Sequence, residues 1–316
     1  MLLATCLAAT AVSAQTTQSG INRADMDLTV KPGNDFYHYA AGGWLKSHPL
    51  DAEHPMNGAF VDLEELNQKR INDLITEYAS TPQQKGTLGQ KIGSLYRLAM
   101  DSVRRNSEGA KPLMPYIEQI RNIKSRREYQ LVTAQLEGRG IGVMMFGVGV
   151  GADQRDAANN IVSIAQGGLA LGERDYYFNQ DEQSKKVREA YKTYLVKLLK
   201  LIGNDEATAK KKMEATFAIE TRIAKASYDI VKLRDVNANY HKMTYNQLVA
   251  DFPGIDWGNF FLAQGYPTFQ SVDVGQPEPI HEVEKILADT PLEDLKAFAE
   301  AHAVSGSTGM LDDQFR

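Results

Sequence analysis

The sequence predicts a mainly α-helical protein, a helical shell that contains one β-hairpin. Apolar residues recur at steps of three and four over long stretches, which is typical of helices with one buried face. Helix-start signals recur along the chain, at Ser125, Thr244 and Thr290. Only residues 141–166 are dense in valine, isoleucine and glycine on both sides of a polar turn, and this pattern predicts the hairpin.

The longest amphipathic stretch ends at Ile202 and lies behind a glycine turn. Gly167 and Gly168 predict a sharp turn off a strand, which residues with a Cβ resist. An aromatic block, Arg174-Asp-Tyr-Tyr177, separates this turn from the helix. One helix face is predicted to be apolar, with Val187, Tyr191, Tyr194, Leu195, Leu198, Leu199 and Ile202. The opposite face is predicted to be charged, with Lys185, Lys186, Arg188, Glu189, Lys192, Lys197 and Lys200.

The remaining elements follow from the same periodicity and from capping signals. Ser125, Thr244 and Thr290 each precede Glu or Gln by three positions, a pattern that predicts capping boxes. The hairpin is predicted to have strands at 141–150 and 160–166 around a turn at 153–159. The other predicted helices are 61–78, 89–100, 112–120, 125–136, 207–225, 245–251, 256–264, 282–288 and 291–303.

Composition restricts the class of protein. A chain of 316 residues with 43% hydrophobic and 24% charged residues is ordinary for a globular protein of one large domain or two. The net charge of −5 and the lack of a basic stripe with aromatics argue against a nucleic-acid partner. After the N-terminus, no apolar run is long enough to span a membrane.

The N-terminus predicts export. Residues 1–14 are apolar and small, and Val12-Ser-Ala14 resembles a signal-peptidase site. Cleavage after Ala14 would remove Cys6, the single cysteine, unless Cys6 is a lipoprotein cysteine. Residues 15–24 are polar and are predicted to be a mobile linker. The periplasm or the cell exterior is the expected location.

Histidine-containing patterns resemble metal motifs but lack required parts. His281-Glu282 would need a second histidine at position 285, where Lys285 would repel a zinc ion. Glu278-x-x-His281 lacks the second copy that a di-iron site needs. No spacing joins His38 to His48, and each is expected to be satisfied or exposed.

Other patterns exclude common chemistries. The glycines between 138 and 151 follow a helix and lie inside a strand, whereas a dinucleotide fingerprint needs a strand, a glycine turn and a helix in that order. No Gly-x-Ser-x-Gly occurs, and the one cysteine is predicted to be lost with the signal peptide. Taken alone, the residues predict no catalytic group and no metal ligand.

Four blocks nevertheless resemble one family. They are Gly33-Asn-Asp-Phe-Tyr37 with Gly42-Gly-Trp44, Gln166-Gly-Gly-Leu169 with Arg174-Asp-Tyr-Tyr177, Glu220-Thr-x-x-Ala224, and Leu233-Arg-Asp235 with Tyr240-His-Lys-Met-Thr244. In this order they resemble the neprilysin and endothelin-converting-enzyme family of zinc endopeptidases. The resemblance implies a two-domain helical shell around a cavity, one Zn²⁺ on a His-Glu-x-x-His helix, and peptide cleavage by metal-activated water.

The resemblance also implies a domain organisation and one site residue. Residues 25–80 would wrap onto the catalytic domain, and 81–316 would form a C-terminally truncated helical domain. Phe60 matches a phenylalanine of the substrate pocket, although packing in the core is an equally good interpretation. Met56 stands where some members have a substrate-binding arginine, and Ala41 stands where the family has a cysteine.

Two hypotheses follow. In the first, the chain is the N-terminal portion of an exported neprilysin-like zinc metalloendopeptidase. It would bind peptide substrates, would need a missing C-terminal catalytic half that carries the zinc ligands, and would be inactive alone. An in-frame His-Glu-x-x-His beyond codon 316 is then expected. In the second, the chain is a non-catalytic helical module for peptide binding or scaffolding.

Overall fold

The computed structural model describes residues 20–50 and 56–316. The predicted signal peptide, Cys6 and residues 15–19 of the predicted linker lie outside the described residues. The chain divides into two compact units, Met1–Leu98 and Ala99–Arg316. The prediction of a mainly helical protein is confirmed.

The described part of the first unit contains a 3₁₀ turn, Arg23–Asp25, that packs against helix α1, Phe36–Ser47. Asp35 caps this helix by accepting a hydrogen bond from the His38 backbone at 3.0 Å. Gly43 is needed at the contact, because a Cβ there would lie 2.2 Å from the carbonyl oxygen of Ala24. The first family block therefore builds one helix packed on a turn, a helix that the sequence analysis did not predict.

Helices α2, Ala59–Ser80, and α3, Leu88–Met100, confirm the predicted helices at 61–78 and 89–100. They approach each other closely, since a Cβ at Gly93 would lie 2.3 Å from the carbonyl oxygen of Tyr78. No described residue of α2 is buried. Its apolar stripe is open to solvent at Leu63, Leu66, Ile71 and Leu74.

The second unit surrounds one hydrophobic core with helices from α4 to α13. The predicted helices are confirmed, with ends that move by a few residues. The bounds are α4 Ser102–Glu108, α5 Met114–Arg121, α6 Arg126–Glu137, α7 Glu182–Leu201, α8 Glu206–Ala226, α9 Ile230–Leu233, α10 Tyr245–Asp251, α11 Trp257–Ala263, α12 Pro277–Asp289 and α13 Leu292–Ser307.

A sheet replaces the single predicted hairpin. Strands β1, Phe146–Asp153, and β2, Asp156–Gln166, form the hairpin, with a tighter turn and a later first strand than predicted. Two more strands, β3 Lys242–Thr244 and β4 Ser271–Val274, complete a sheet of order β1-β2-β4-β3. The β2–β4 pair is parallel. Strands of three and four residues give too few alternating side chains for a period of two to be visible.

Helix α7 packs against α8 and α13 in the core. The predicted apolar face is confirmed at Tyr191, Leu195, Leu198, Leu199 and Ile202, which are buried. The predicted charged face is wrong at Arg188, which is buried and donates to the backbone carbonyl of Tyr176 at 2.7 Å. That bond ties α7 to the aromatic block, which forms a 3₁₀ turn at Arg174–Tyr177.

The three predicted capping boxes have different outcomes. Thr244 and Gln247 form a complete box. Ser125 caps α6, but Glu128 accepts from the backbone of Lys124 rather than from that of Ser125. The prediction of a capping box at Thr290 is wrong. Pro291 is in an extended conformation (ψ 140°) and is itself the N-cap of α13.

Candidate functional site

An open cleft of about 530 Å³ lies in the second unit. This volume is within the range of small-molecule sites in proteins. Its walls come from the loop before β1, the turn after β2, and helices α6, α7 and α13. The lining residues are Glu137, Gly142, Met144, Phe146, Gly147, Gly167, Gly168, Leu169, Ala170, Tyr191, Tyr194, His302, Ser305 and Gly306.

The predicted glycine turn forms one wall of the cleft. Gly168 has φ +75°, and a Cβ there would lie 2.8 Å from Cα of Met145. Only glycine accommodates both the conformation and the contact. The turn can therefore lie flat against the residues before β1 and expose backbone to the cleft.

A buried carboxylate organises the opposite wall. Glu220 on α8 is fully buried and accepts hydrogen bonds from Tyr191 Oη at 2.7 Å and Tyr177 Oη at 3.2 Å. His302 Nε2 on α13 lies 2.8 Å from the same carboxylate. Tyr191 and His302 also line the cleft, so one buried charge fixes two cleft residues from different helices.

Electrostatics keep these tyrosines protonated. Burial, and secondly the charge of Glu220, raise the pKa of the Tyr191 and Tyr177 hydroxyls well above their ordinary value. Both hydroxyls are therefore hydrogen-bond donors throughout the neutral range. Tyr177 Oη in turn accepts from the backbone N–H of Leu171 at 3.1 Å, which anchors the chain that follows the glycine turn.

The second and third resemblance blocks contact each other around this site. Gln166, the last residue of β2, hydrogen-bonds to the backbone of Tyr228 after α8. Arg174 donates to the carbonyl of Ser227 at 2.9 Å, and Tyr177 reaches Glu220 in the third block. These two blocks thus form part of the scaffold behind the cleft.

A second buried carboxylate holds the other side of α13. Glu300 is 1% exposed and accepts from Arg121 Nη2 at 2.8 Å, Asn204 Nδ2 at 2.8 Å and Lys212 Nζ at 2.6 Å. Burial alone would raise the pKa of Glu300, but these donors outweigh it and lower the pKa. Helix α13 is therefore held at Glu300 against α5 and α8, two residues before the cleft residue His302.

Phe60, the substrate-binding residue predicted from the resemblance, lies in the first unit. It is the second residue of α2 and is 90% exposed. Met56 is also exposed, and Ala41 lies on α1. None of the three belongs to the residues that line the cleft of the second unit.

The described residues do not fit a zinc ion. His281 Nδ1 pairs with Glu284 at 2.9 Å, and its ring stacks on Phe252. Lys285 lies on the same helix, with its ammonium 3.7 Å from Glu282. Across 20–50 and 56–316, no group of three or more His, Cys, Asp or Glu side chains is arranged to hold a metal.

His302 and the role of Glu220 were missed by the sequence analysis. Glu220 was noticed only as part of a family block, and His302 was not singled out. The contact joins two helices that are far apart in the sequence, so no spacing rule connects them. The pair Tyr191 and Tyr194 could have indicated a buried polar partner, because it places hydroxyl groups on the apolar face of α7.

Fold and cleft together define a mainly helical domain with an open cleft beside a small mixed sheet. Residues 32–316 match the model of peptidase family M13, N-terminal part. The chain belongs to peptidase family M13.

Relatives and solved structures agree with this assignment. Endothelin-converting enzyme 1 of Rattus norvegicus is 35% identical over 288 residues, which are 87% of this chain and 35% of the relative. The human enzyme is 32% identical over 300 residues, 88% of this chain and 37% of the relative. The chain thus spans about a third of the length of these relatives.

The crystal structure of the Mycobacterium tuberculosis zinc metalloprotease Zmp1 with an inhibitor matches with a TM-score of 0.83 and 27% identity. The match covers 94% of this chain and 45% of that one. In the part of the chain that the structure describes, no helix is long and apolar enough to cross a membrane.

Proposed function

We propose that this chain forms the N-terminal portion of a zinc metalloendopeptidase and that its cleft holds the peptide substrate. The observation that carries the proposal is the open 530 Å³ cleft between the glycine turn and α13. Exposed glycine backbone on one side and aromatic rings on the other suit an extended peptide chain, whose backbone needs partners and whose side chains vary.

The zinc chemistry is proposed to come from residues other than those described. Enzymes of this family use zinc to activate a water that attacks the peptide carbonyl. Because the described residues do not fit the metal, we propose that the 316-residue chain alone does not hydrolyse peptides. In this proposal its own residues bind the substrate, orient it and exclude water around it.

The first unit is proposed to contact a catalytic domain. The open apolar stripe of α2 supports this, because such stripes mark contact surfaces. Phe60, exposed near the start of that helix, would then reach the substrate only in the assembled enzyme.

Export through the segment 1–14, with Cys6 as a candidate lipid site, is proposed on the sequence pattern alone. N-terminal sequencing of the mature protein, with mass spectrometry for a lipid, tests the export proposal.

A non-catalytic peptide-binding module is the second candidate function. A peptide-sized cleft without metal ligands in the described residues favours it. Both candidate functions predict peptide binding, but only the first predicts an enzyme that uses zinc. Under the first, a longer product of the same gene contains a His-Glu-x-x-His segment and cleaves peptides that the 316-residue chain only binds.

The binding step is tested by fluorescence anisotropy with a short fluorescein-labelled peptide and the purified chain. Gly306 on α13 lines the cleft, and a Cβ there meets nothing within 4 Å. Gly306→Phe is therefore expected to fill the cleft without disturbing the core and to weaken binding at least about tenfold. Gly309→Phe is the matched control, because Gly309 is equally open but does not line the cleft.

Equal affinity for the two variants and the wild type would contradict the proposed role of the cleft. The zinc step is tested separately, by equilibrium dialysis against buffered zinc and by incubation with a quenched fluorescent peptide. We expect no stoichiometric zinc and no chelator-sensitive cleavage by the 316-residue chain. Tightly bound zinc together with peptide cleavage would contradict the proposal that the zinc chemistry comes from residues other than those described.

A further inference from the structure

We propose that His302 binds a backbone N–H group of the peptide through its Nδ1 atom, and that Glu220 holds the imidazole in the tautomer that this contact needs. The inference rests on the proposed function, because it assigns a peptide-binding residue in the same cleft. Its basis is the set of hydrogen bonds around one buried carboxylate and the nitrogen that this set leaves free.

The contact with Glu220 determines which nitrogen of His302 carries the proton. An ionised carboxylate only accepts hydrogen bonds. Glu220 Oε1 lies 2.8 Å from His302 Nε2 and also accepts from Tyr191. In the neutral imidazole the proton is therefore on Nε2, and Nδ1 presents a lone pair.

The Nδ1 atom has no partner among the described residues. His302 is bonded through Nε2, and the buried polar atoms that lack a partner do not include its Nδ1. The ring lines the cleft and is fixed by stacking on Phe298, with centroids 4.1 Å apart. Nδ1 is therefore an accessible acceptor, and two independent contacts hold its ring in place.

An acceptor in this position selects for a donor on the ligand. Every peptide residue except proline has a backbone N–H, so the contact would hold the substrate without reading its side chains. The glycine turn across the cleft contributes Gly167 and Gly168, which have no side chains. This arrangement fits a peptidase that accepts varied sequences and rejects proline or an N-methylated residue at one position.

Two substitutions of His302 distinguish the roles of its two ring nitrogens. In His302→Gln, the side-chain amide can replace Nε2 and keep a donor for Glu220, but the Nδ1 acceptor is lost. In His302→Asn, the shorter amide can replace Nδ1, but the buried carboxylate loses a donor. We expect Gln to weaken peptide binding about five- to tenfold with little loss of stability. Asn is expected to lower the unfolding midpoint more and to weaken binding less than Gln.

A scan of N-methylated peptides gives the decisive readout. Against the wild type, one position of the labelled peptide should lose about five- to tenfold in affinity when its nitrogen is methylated. Against His302→Gln, methylation at that position should cost nothing further. His281→Gln, which replaces a helix histidine outside the cleft, should respond to methylation like the wild type.

Nitrogen chemical shifts of labelled histidine give a signature that a purely structural role would not move. The free chain should show His302 with its proton on Nε2, and peptide should shift its Nδ1 resonance. Equal sensitivity to methylation in wild type and His302→Gln would overturn the inference. If Gly306→Phe still weakens binding in that case, the proposed function stands and only the role of His302 fails.

Discussion

Gln166 binds the main chain of Tyr228 twice. Its Oε1 accepts from the backbone N–H of Tyr228 at 2.7 Å, and its Nε2 donates to the carbonyl oxygen of that residue at 3.2 Å. The backbone N–H of Gln166 donates to Gln276 Oε1 at 2.9 Å. One side chain thus joins the end of β2 to the segment after α8 and fixes the start of the glycine turn that lines the cleft.

The contact of Gln166 with Tyr228 predicts that a glutamine-to-glutamate substitution destabilises the fold more at Gln166 than at an exposed glutamine. Gln166→Glu keeps the acceptor but loses the donor, so the carbonyl of Tyr228 is left facing a carboxylate. We expect the free energy of unfolding in urea to fall by about 1–3 kcal/mol. Gln183→Glu, on an exposed position of α7, should change it by less than about 0.5 kcal/mol. Similar effects of the two substitutions would show that the paired contact does not stabilise the fold.

The hydroxyls of Tyr191 and Tyr194 are predicted to differ in importance. Both residues are on α7 and line the cleft, but only Tyr191 donates to the buried Glu220. Tyr191→Phe should lower the free energy of unfolding by about 1.5–3 kcal/mol, the range for a hydrogen bond to a charged group. Tyr194→Phe should leave it within about 0.5 kcal/mol. A larger loss for Tyr194→Phe would contradict the assignment of Glu220 as the organising charge.

Glu300 predicts a pH-dependent stability. Its folded-state pKa is lowered below the ordinary value of 4.5, so its contribution is complete above that value and is lost as the pH falls through the folded-state pKa. Glu300→Gln should cost about 2–4 kcal/mol at neutral pH, because Arg121 and Lys212 lose their partner. Thermal unfolding across the acidic range should show the difference between wild type and variant shrinking. A difference that does not change with pH would mean that the charge of Glu300 has no part in it.

The Gly-Gly-Trp segment predicts a steric requirement in the first unit. Gly43→Ala would place a Cβ 2.2 Å from the Ala24 carbonyl oxygen, and overpacking of this kind costs about 1–3 kcal/mol. Hydrogen exchange of the α1 backbone amides should accelerate in this variant. Gly33→Ala is the control, because a Cβ at Gly33 meets nothing within 4 Å. Unchanged protection in Gly43→Ala would show that the turn at Arg23–Asp25 does not pack on α1 in solution.

Elements with a long periodic pattern could be predicted from the sequence, and contacts between distant residues could not. The seven apolar positions from Val187 to Ile202 were enough to predict α7, and Thr244 with Gln247 marked the start of α10. Arg188 looked like a surface residue because its charge fits a solvated face, yet it is buried and donates to a backbone carbonyl of the neighbouring turn. The pairing of β2 with β4 depends on residues that are distant in the chain. The same is true of Glu220 and His302.

Methyl NMR with labelled methionine tests the proposed binding of peptide in the cleft most directly. Met144 lines the cleft, whereas Met310 is 86% exposed and does not line it. When unlabelled peptide is titrated into the chain, the methyl resonance of Met144 should shift in a saturable way while that of Met310 stays in place. A shift of Met310 with an unmoved Met144, or no saturable shift at either methyl, would contradict binding of the peptide in this cleft.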